Sequence, residues 1–326
     1  MVRLFDSFDR PVNYLRISVT DRCNLRCIYC MPLEGISLMA HENILSYEEI
    51  STVAQAAADL GIIKVRLTGG EPLVRERLTT LVAMLAQIQG IDDISLTTNA
   101  VILERYAGEL KNAGLHRVNI SLDSLRSNGF HQITRVGNLD DVLRGIEAAR
   151  QAGLNPVKIN TVVMRGINDD EVIDFARLTI ENEWHVRFIE YMPFSNGDEK
   201  TDGLLVPVAE MKASIETLGE LTPTLESGGG PAKYFRLPGA RGTIGFISPV
   251  SEHFCQACNR LRLTADGKLR PCLFSDKEID LREPLRQGAT TDDIKRLIQE
   301  AASCKPEGHR LKAGITCERF MAQIGG

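Results

Sequence analysis

Six short runs of β-type residues, each followed by a helix-type stretch, limit the folds open to this 326-residue chain more than any other feature. They lie at 14–20, 62–68, 93–99, 117–123, 157–164 and 186–192. Strand then helix, repeated six times, implies a parallel sheet covered by helices. Helix starts are marked. Ser46 stands three residues before Glu49, and Asn168 three before Glu171, both in the pattern of a capping box. Residues 46–60 then carry Ile50, Val53, Ala54, Ala57 and Ala58 on one side and close at Gly61.

Within the strands the polarity alternates. Parallel strands covered on both faces usually read as continuous apolar runs. Here Arg16, Ser18 and Thr20 oppose Leu15, Ile17 and Val19, and Lys64, Arg66 and Thr68 oppose Ile63, Val65 and Leu67. Ser95, Thr97 and Asn99 share one face, as do Asn119, Ser121 and Asp123, then Lys158 and Asn160. The apolar faces must meet the helices, so the polar faces line the other side. A closed barrel fills its interior with branched side chains. Arg16, Lys64, Arg66 and Lys158 beside a row of hydroxyls cannot pack dry without partners. The pattern predicts an α/β fold, an open, partial (β/α)6 barrel whose lumen holds a polar, anionic ligand. The other reading is a set of edge strands with one wet face, as antiparallel sheets show.

Near Leu221 the composition shifts, and Ser227-Gly228-Gly229-Gly230-Pro231 reads as a linker. Beyond it short strands are expected at 233–237, 242–247 and 259–264, with a helix at 291–302. The chain thus divides into 1–221 and a smaller domain, 222–326. Apolar residues at 43% suffice for a large core, and a net charge of −5 argues against nucleic acid or an anionic membrane as partner. The first ten residues mix charges with apolar side chains and lack a signal-peptide h-region, and no run approaches a membrane span. A cytoplasmic, reducing setting follows, in which eight cysteines are metal ligands and buried thiols rather than disulfides.

Two sets of three cysteines carry ligand spacing. Cys23, Cys27 and Cys30 form C-x3-C-x2-C directly after the first strand, and Cys255, Cys258 and Cys272 form C-x2-C-x13-C. Three thiolates are one short of a closed tetrahedral zinc site or a fully ligated iron–sulfur cube, so each set leaves a metal position open to a small molecule. For the distal set, zinc with His253 as fourth ligand is the other reading. Cys304 and Cys317 have no ligand spacing and read as buried thiols. Thr68-Gly69-Gly70-Glu71-Pro72, taken alone, is a turn whose glycines let backbone approach a ligand closely. Arg260 and Arg262, alternating on a strand beside the distal cysteines, favour an anion or a nucleobase edge. A terminal Gly325-Gly326 is, on physics alone, a frayed end. No P-loop is present, so a nucleotide would not sit on one.

The first cysteine run, with Tyr29 as the aromatic before Cys30, resembles the radical S-adenosylmethionine (SAM) superfamily hallmark C-x3-C-x-aromatic-C. The Gly-Gly-Glu-Pro turn resembles that superfamily's element for the amino group of SAM. Together with the distal trio, the Arg260-Leu261-Arg262 strand and the Gly-Gly terminus, these features resemble the molybdenum cofactor biosynthesis protein A family, the GTP 3′,8-cyclases. The resemblance implies a TIM-type partial barrel as radical SAM core and a smaller C-terminal iron–sulfur domain. It implies SAM and two 4Fe–4S clusters, one on Cys23, Cys27 and Cys30, the other on Cys255, Cys258 and Cys272. SAM contacts are implied at Tyr29, Gly70, Ser121 and Met192. GTP contacts are implied at Arg16, Arg66, Thr97, Lys158, Arg260, Leu261 and Arg262, to which the shared strand face adds Lys64. Arg16, Gly325 and Gly326 take catalytic parts, because the family's tail reaches into the active site; this reverses the reading of a frayed end. The implied chemistry is abstraction of the GTP C3′ hydrogen by a 5′-deoxyadenosyl radical, attack of C3′ on C8, and 3′,8-cyclo-7,8-dihydro-GTP as product, with guanine on the second cluster. Implied partners are GTP, an electron donor and cyclic pyranopterin monophosphate synthase; a homodimer is admitted, nucleic acid and membrane are not. Two other readings stand beside this one. A peptide-modifying radical SAM enzyme also carries auxiliary clusters. An iron–sulfur sensor or electron carrier would have no use for a cationic barrel.

Overall fold

The computed structural model describes residues 3–192, 203–225, 230–309 and 318–325; the linker residues 227–229, Cys317 and Gly326 lie outside the described residues. The six runs fold as β1 (Tyr14–Ser18), β2 (Lys64–Thr68), β3 (Asp93–Thr98), β4 (Arg117–Ser121), β5 (Lys158–Val163) and β6 (His185–Glu190). They pair in chain order and in parallel. Between them run α1 (Tyr47–Asp59), α2 (Leu78–Ala86), α3 (Ala107–Asn112), α4 (Ser127–Thr134), α5 (Leu139–Gln151) and α6 (Val172–Glu181).

Local chemistry sets the helix starts, though not always as the sequence suggests. At α1 the Ser46 side chain accepts from the Glu49 N–H (3.1 Å) and the Glu49 carboxylate accepts from the Ser46 N–H (2.7 Å), a complete capping box. Asn168 does not repeat it. Its carbonyl oxygen accepts from the Met164 N–H (2.7 Å), and its amide donates to the carbonyls of Asp123 (2.7 Å) and Val162 (2.9 Å). Glu171 instead accepts from the Ser124 hydroxyl and the Leu125 N–H, both at 2.7 Å. Both side chains are buried, where polar groups must take the donors that surround them. They staple the ends of β4 and β5 together, and α6 begins only after a 3-10 turn at Asp169–Glu171.

The period of two appears in the packing. Leu15, Ile17, Val65, Leu67, Leu96, Val118, Ile120 and Ile159 lie in the core beneath the helices. Their neighbours Arg16, Arg66, Thr97, Ser121 and Lys158 line a cavity on the opposite face. The edge-strand reading fails because every one of β1 to β6 is paired on both sides.

That pairing is completed by strands from beyond residue 221: β7 (Thr222–Thr224), β8 (Lys233–Arg236), β9 (Thr243–Ile247), β10 (Arg260–Leu263), β11 (Lys268–Arg270) and β12 (Ile279–Asp280). The sheet runs β12-β11-β10-β1-β2-β3-β4-β5-β6-β9-β8-β7. Parallel β10 lies beside β1 with Arg262 opposite Arg16, and parallel β9 lies beside β6. The C-terminal segment therefore extends both edges of the six-stranded partial barrel, ending each with an antiparallel ribbon. Helices α7 (Val208–Ile215), α8 (Arg282–Arg286), α9 (Thr291–Ser303) and α10 (Met321–Ile324) complete the fold. α9 packs on α1, joined by the Lys295–Asp59 ion pair at 2.8 Å. Among the described residues no helix is long and apolar enough to cross a membrane.

Candidate active site

The polar strand faces and the loops at their C-terminal ends enclose a cavity of about 2000 Å³, its open mouth included. All six cysteines of the two trios line it.

The first trio sits on the loop after β1, which is fastened from three sides. Arg26 and Ile28 N–H groups donate to the Thr134 and Ile133 carbonyls at the end of α4, each at 3.0 Å. The Gly70 N–H donates to the Thr20 carbonyl (2.7 Å) and the Glu71 N–H to that of Arg22 (2.8 Å). A Cβ on Gly70 would stand 2.3 Å from the Arg22 oxygen, so only glycine permits this approach. The Glu71 carboxylate accepts from the Thr98 hydroxyl and the Asn99 N–H, both at 2.7 Å, while burial raises its pKa to about 7. The Tyr29 hydroxyl donates to Asp123 (2.7 Å), whose pKa burial raises to about 6. Asp123 stood on a predicted polar face but was not singled out as a site residue.

The thiols differ by environment. Burial pushes Cys23 up to about 11 and Cys30 up to about 12, and Cys27 well above its usual value, with the neighbouring Cys30 adding to the rise. Such a trio ionises when a cationic centre sits among the sulfurs. At the distal trio, burial raises Cys258, but Arg260 (Nη2 3.9 Å) and Lys305 (Nζ 3.6 Å) outweigh it and hold the thiol down to about 6.

Each trio offers three thiolates to the cavity, one short of closing a tetrahedral zinc or a fully ligated cube, so each leaves one metal position open. Among the described residues, ligand atoms of His253, Cys255 and His309 lie within 4.8 Å of one another, a compact set beside the distal trio that could hold a metal ion.

The wall between the trios is cationic. Arg16, Arg66, Lys158, Arg187, Arg260 and Arg262 line it. Burial and the adjacent Arg262 depress Arg16 well below its usual value, and burial and Arg260 lower Arg262 to about 9. Several buried polar atoms on this wall find no hydrogen-bond partner: the Thr97 and Tyr14 hydroxyls, the Asn160 carbonyl oxygen and the Arg187 Nε. Buried polar groups are ordinarily satisfied; these meet their needs when a polyanionic, hydrogen-bonding ligand enters. Arg187 was missed from the sequence, although the alternation along β6 places it on the lumen face. Its guanidinium donates to Asn119.

Of the remaining expected residues, Gly70, Ser121 and Met192 line the cavity. Lys64 shares the face of Arg66 but lies outside the cavity lining, two residues nearer the strand's N-terminal end, roughly 6–7 Å lower on a strand rising about 3.3 Å per residue. The Leu261 side chain is buried in the core, so any ligand contact there is through its backbone. Gly325 is not frayed. Its carbonyl accepts from Arg262 (3.1 Å), and its left-handed backbone (φ 73°) packs against Ser18 and Thr68 at the ends of β1 and β2. Met321 and Ile324 of α10 pack with Cys30, Met192, Leu273 and Phe274, which joins the tail to both cysteine loops. Gly326 lies outside the described residues.

The Radical SAM superfamily matches residues 17–179, and Molybdenum Cofactor Synthesis C matches 184–311. The chain is 55% identical over 323 residues to the GTP 3′,8-cyclase of Pelotomaculum thermopropionicum, covering 98% of this chain and 99% of that protein. It is 54% identical over 328 residues to the GTP 3′,8-cyclase of Heliobacterium modesticaldum, covering 99% and 100%. The chain belongs to the GTP 3′,8-cyclase family. Among solved structures it resembles Streptococcus suis SuiB bound to S-adenosylmethionine (TM-score 0.62, 14% identity, 93% of this chain and 77% of that one). It also resembles anSMEcpe with bound AdoMet (TM-score 0.58, 16% identity, 86% and 79%). Identities this low show the shared fold: a radical SAM partial barrel continued by a C-terminal extension. For a GTP 3′,8-cyclase family member of the radical SAM class, the cofactors are SAM and 4Fe–4S clusters, which the two cysteine trios fit.

Proposed function

We propose that this chain converts GTP to 3′,8-cyclo-7,8-dihydro-GTP, the first step of molybdenum cofactor biosynthesis, with SAM as the radical source. The observation that carries this reading is a single cavity with an open cysteine trio at each end and a cationic wall between. When bound, the 4Fe–4S groups and SAM supply a 5′-deoxyadenosyl radical at one end and an open iron for the base at the other.

The chain's own residues then do the positioning. The Gly69-Gly70 backbone, Tyr29, Ser121 and Met192 surround the first trio and hold SAM there. Arg16, Arg66, Lys158 and Arg187 take the triphosphate, with the Thr97 hydroxyl as a further contact. Lys64 adds positive potential from below without touching the ligand. Arg260, Arg262 and the Leu261 backbone orient the nucleoside toward Cys255, Cys258 and Cys272. Gly325 closes the space beside Arg16 and Arg262 and so helps hold the ribose with its C3′ hydrogen toward the radical source. Residues 1–221 thus act as the SAM unit and 222–326 as the base-binding unit. One electron and one proton complete the cyclised nucleotide, so an electron donor is required, and the labile product passes to cyclic pyranopterin monophosphate synthase. This chemistry belongs in a reducing cytoplasm.

The lumen assignment is tested by Arg66→Ala and Lys158→Ala. A hydrogen bond to a charged group contributes about 1.5–3 kcal/mol, so each variant should bind GTP about 10–100-fold more weakly in anaerobic equilibrium dialysis. Its cyclised product should fall at low GTP, with the iron content of the parent. Unchanged GTP affinity in both variants would refute the assignment.

A further inference from the structure

We propose that Lys305 is a positioning residue of the second cluster, tying its two cysteine loops together and raising its reduction potential. The proposal rests on the reading of Cys255, Cys258 and Cys272 as ligands of a 4Fe–4S group.

Lys305 is 4% exposed, a rare condition for an ammonium. Its Nζ donates to the Arg260 carbonyl (2.8 Å) and the Pro271 carbonyl (3.0 Å), and meets the Cys258 sulfur at 3.6 Å. An ammonium has three donors, and these three acceptors use them. Arg260 stands two residues after Cys258 and Pro271 immediately before Cys272, so one side chain spans both cysteine-bearing segments. Among the described residues it has no carboxylate partner within ion-pair distance. A buried ammonium without a counterion is strongly unfavourable; the anionic partner on offer is the thiolate cluster itself. Lys305 is absent from the cavity lining, so it stands behind the ligands and does not meet substrate.

Its backbone is fixed from the other side. Arg10 donates to the Cys255 carbonyl (2.8 Å), the Glu307 carbonyl (2.8 Å) and the Pro306 carbonyl (2.7 Å), and pairs with Asp6 at 2.6 Å. Residues 305–307, delivered by the end of α9, are thus clamped against the cysteine loops. Hydrogen bonds and positive charge at cluster sulfurs favour the reduced, more negative state, so removing the ammonium should make reduction harder.

The test is an anaerobic redox titration of the reconstituted full-length holoprotein, followed by electron paramagnetic resonance, with iron determined in parallel. The parent should hold about eight irons. Lys305→Gln, which keeps a donor but no charge, should keep them and shift the second cluster to more negative potential, leaving the first unchanged; Lys305→Arg should shift it less. Lys305→Met should shift it at least as far, or lose about four irons while the first cluster's signal persists. Eight irons and parent potentials in both the Met and Gln variants would overturn the proposal. A parent with only about four irons, or with zinc on the distal trio, would instead overturn the two-cluster reading, and the proposal with it.

Discussion

Replacing Gly70 with alanine should lower SAM cleavage by about 100-fold or more, the scale on which an ångström of misplacement acts in a reactive geometry. The added Cβ would lie 2.3 Å from the Arg22 oxygen, 2.6 Å from its carbonyl carbon and 2.9 Å from the Asp21 oxygen. All three are backbone atoms of the segment that leads into Cys23, so no side chain can swing aside to relieve the clash. The turn must withdraw from the cysteine loop, and the Gly70–Thr20 and Glu71–Arg22 hydrogen bonds lengthen with it. The cationic residues on β1, β2, β5 and β10 are untouched, so GTP affinity should hold. The measurement is the rate of 5′-deoxyadenosine formation beside GTP binding in the same preparation. A parent-like rate would mean that the turn does not position SAM.

A second large effect is expected at Gly325. Its φ of 73° is a conformation that side-chain-bearing residues rarely adopt, and a Cβ there would stand 2.7 Å from the Thr68 methyl and 3.1 Å from the Ser18 Cβ. Valine should expel the tail from the barrel and free Arg262 from the Gly325 carbonyl. Cyclised nucleotide should fall by about 100-fold or more, while iron content stays at the parent level and SAM is still cleaved, now without productive coupling to GTP. Product analysis against 5′-deoxyadenosine separates this from general unfolding, which would lower both together. Parent-like coupling in Gly325→Val would remove the tail from the mechanism.

The parts that were legible in the sequence are those governed by local periodicity. A period of two assigned Ile17, Val65 and Leu67 to the core and Arg16, Arg66 and Lys158 to the lumen, and the strand ends fell within two residues of the folded ones at β1, β2 and β3. Ligand spacing made both cysteine trios visible. What stayed hidden depends on pairing across long stretches of chain. Nothing local to residues 222–280 says that β9 and β10 add to opposite edges of one sheet, bringing Cys255 and Cys258 to the cavity that Cys23 and Cys30 also line. Asn168 carries the letters of a cap, but burial between Asp123 and Val162 redirected its hydrogen bonds. Lys305, flanked by Cys304 and Pro306, reads as an ordinary surface lysine until the fold buries it behind Cys258. Lys64 shows the converse: the right face of the right strand, yet outside the cavity lining although Tyr14, its partner in register on β1, belongs to it.

The central claim is that a radical generated at the first trio reaches a GTP ribose held between the two trios. It is tested most directly with GTP deuterated at C3′, incubated anaerobically with the reduced, iron-loaded protein and SAM. The account predicts 5′-deoxyadenosine that carries the deuterium, formed together with 3′,8-cyclised nucleotide. Unlabelled 5′-deoxyadenosine, with the GTP recovered intact, would contradict it.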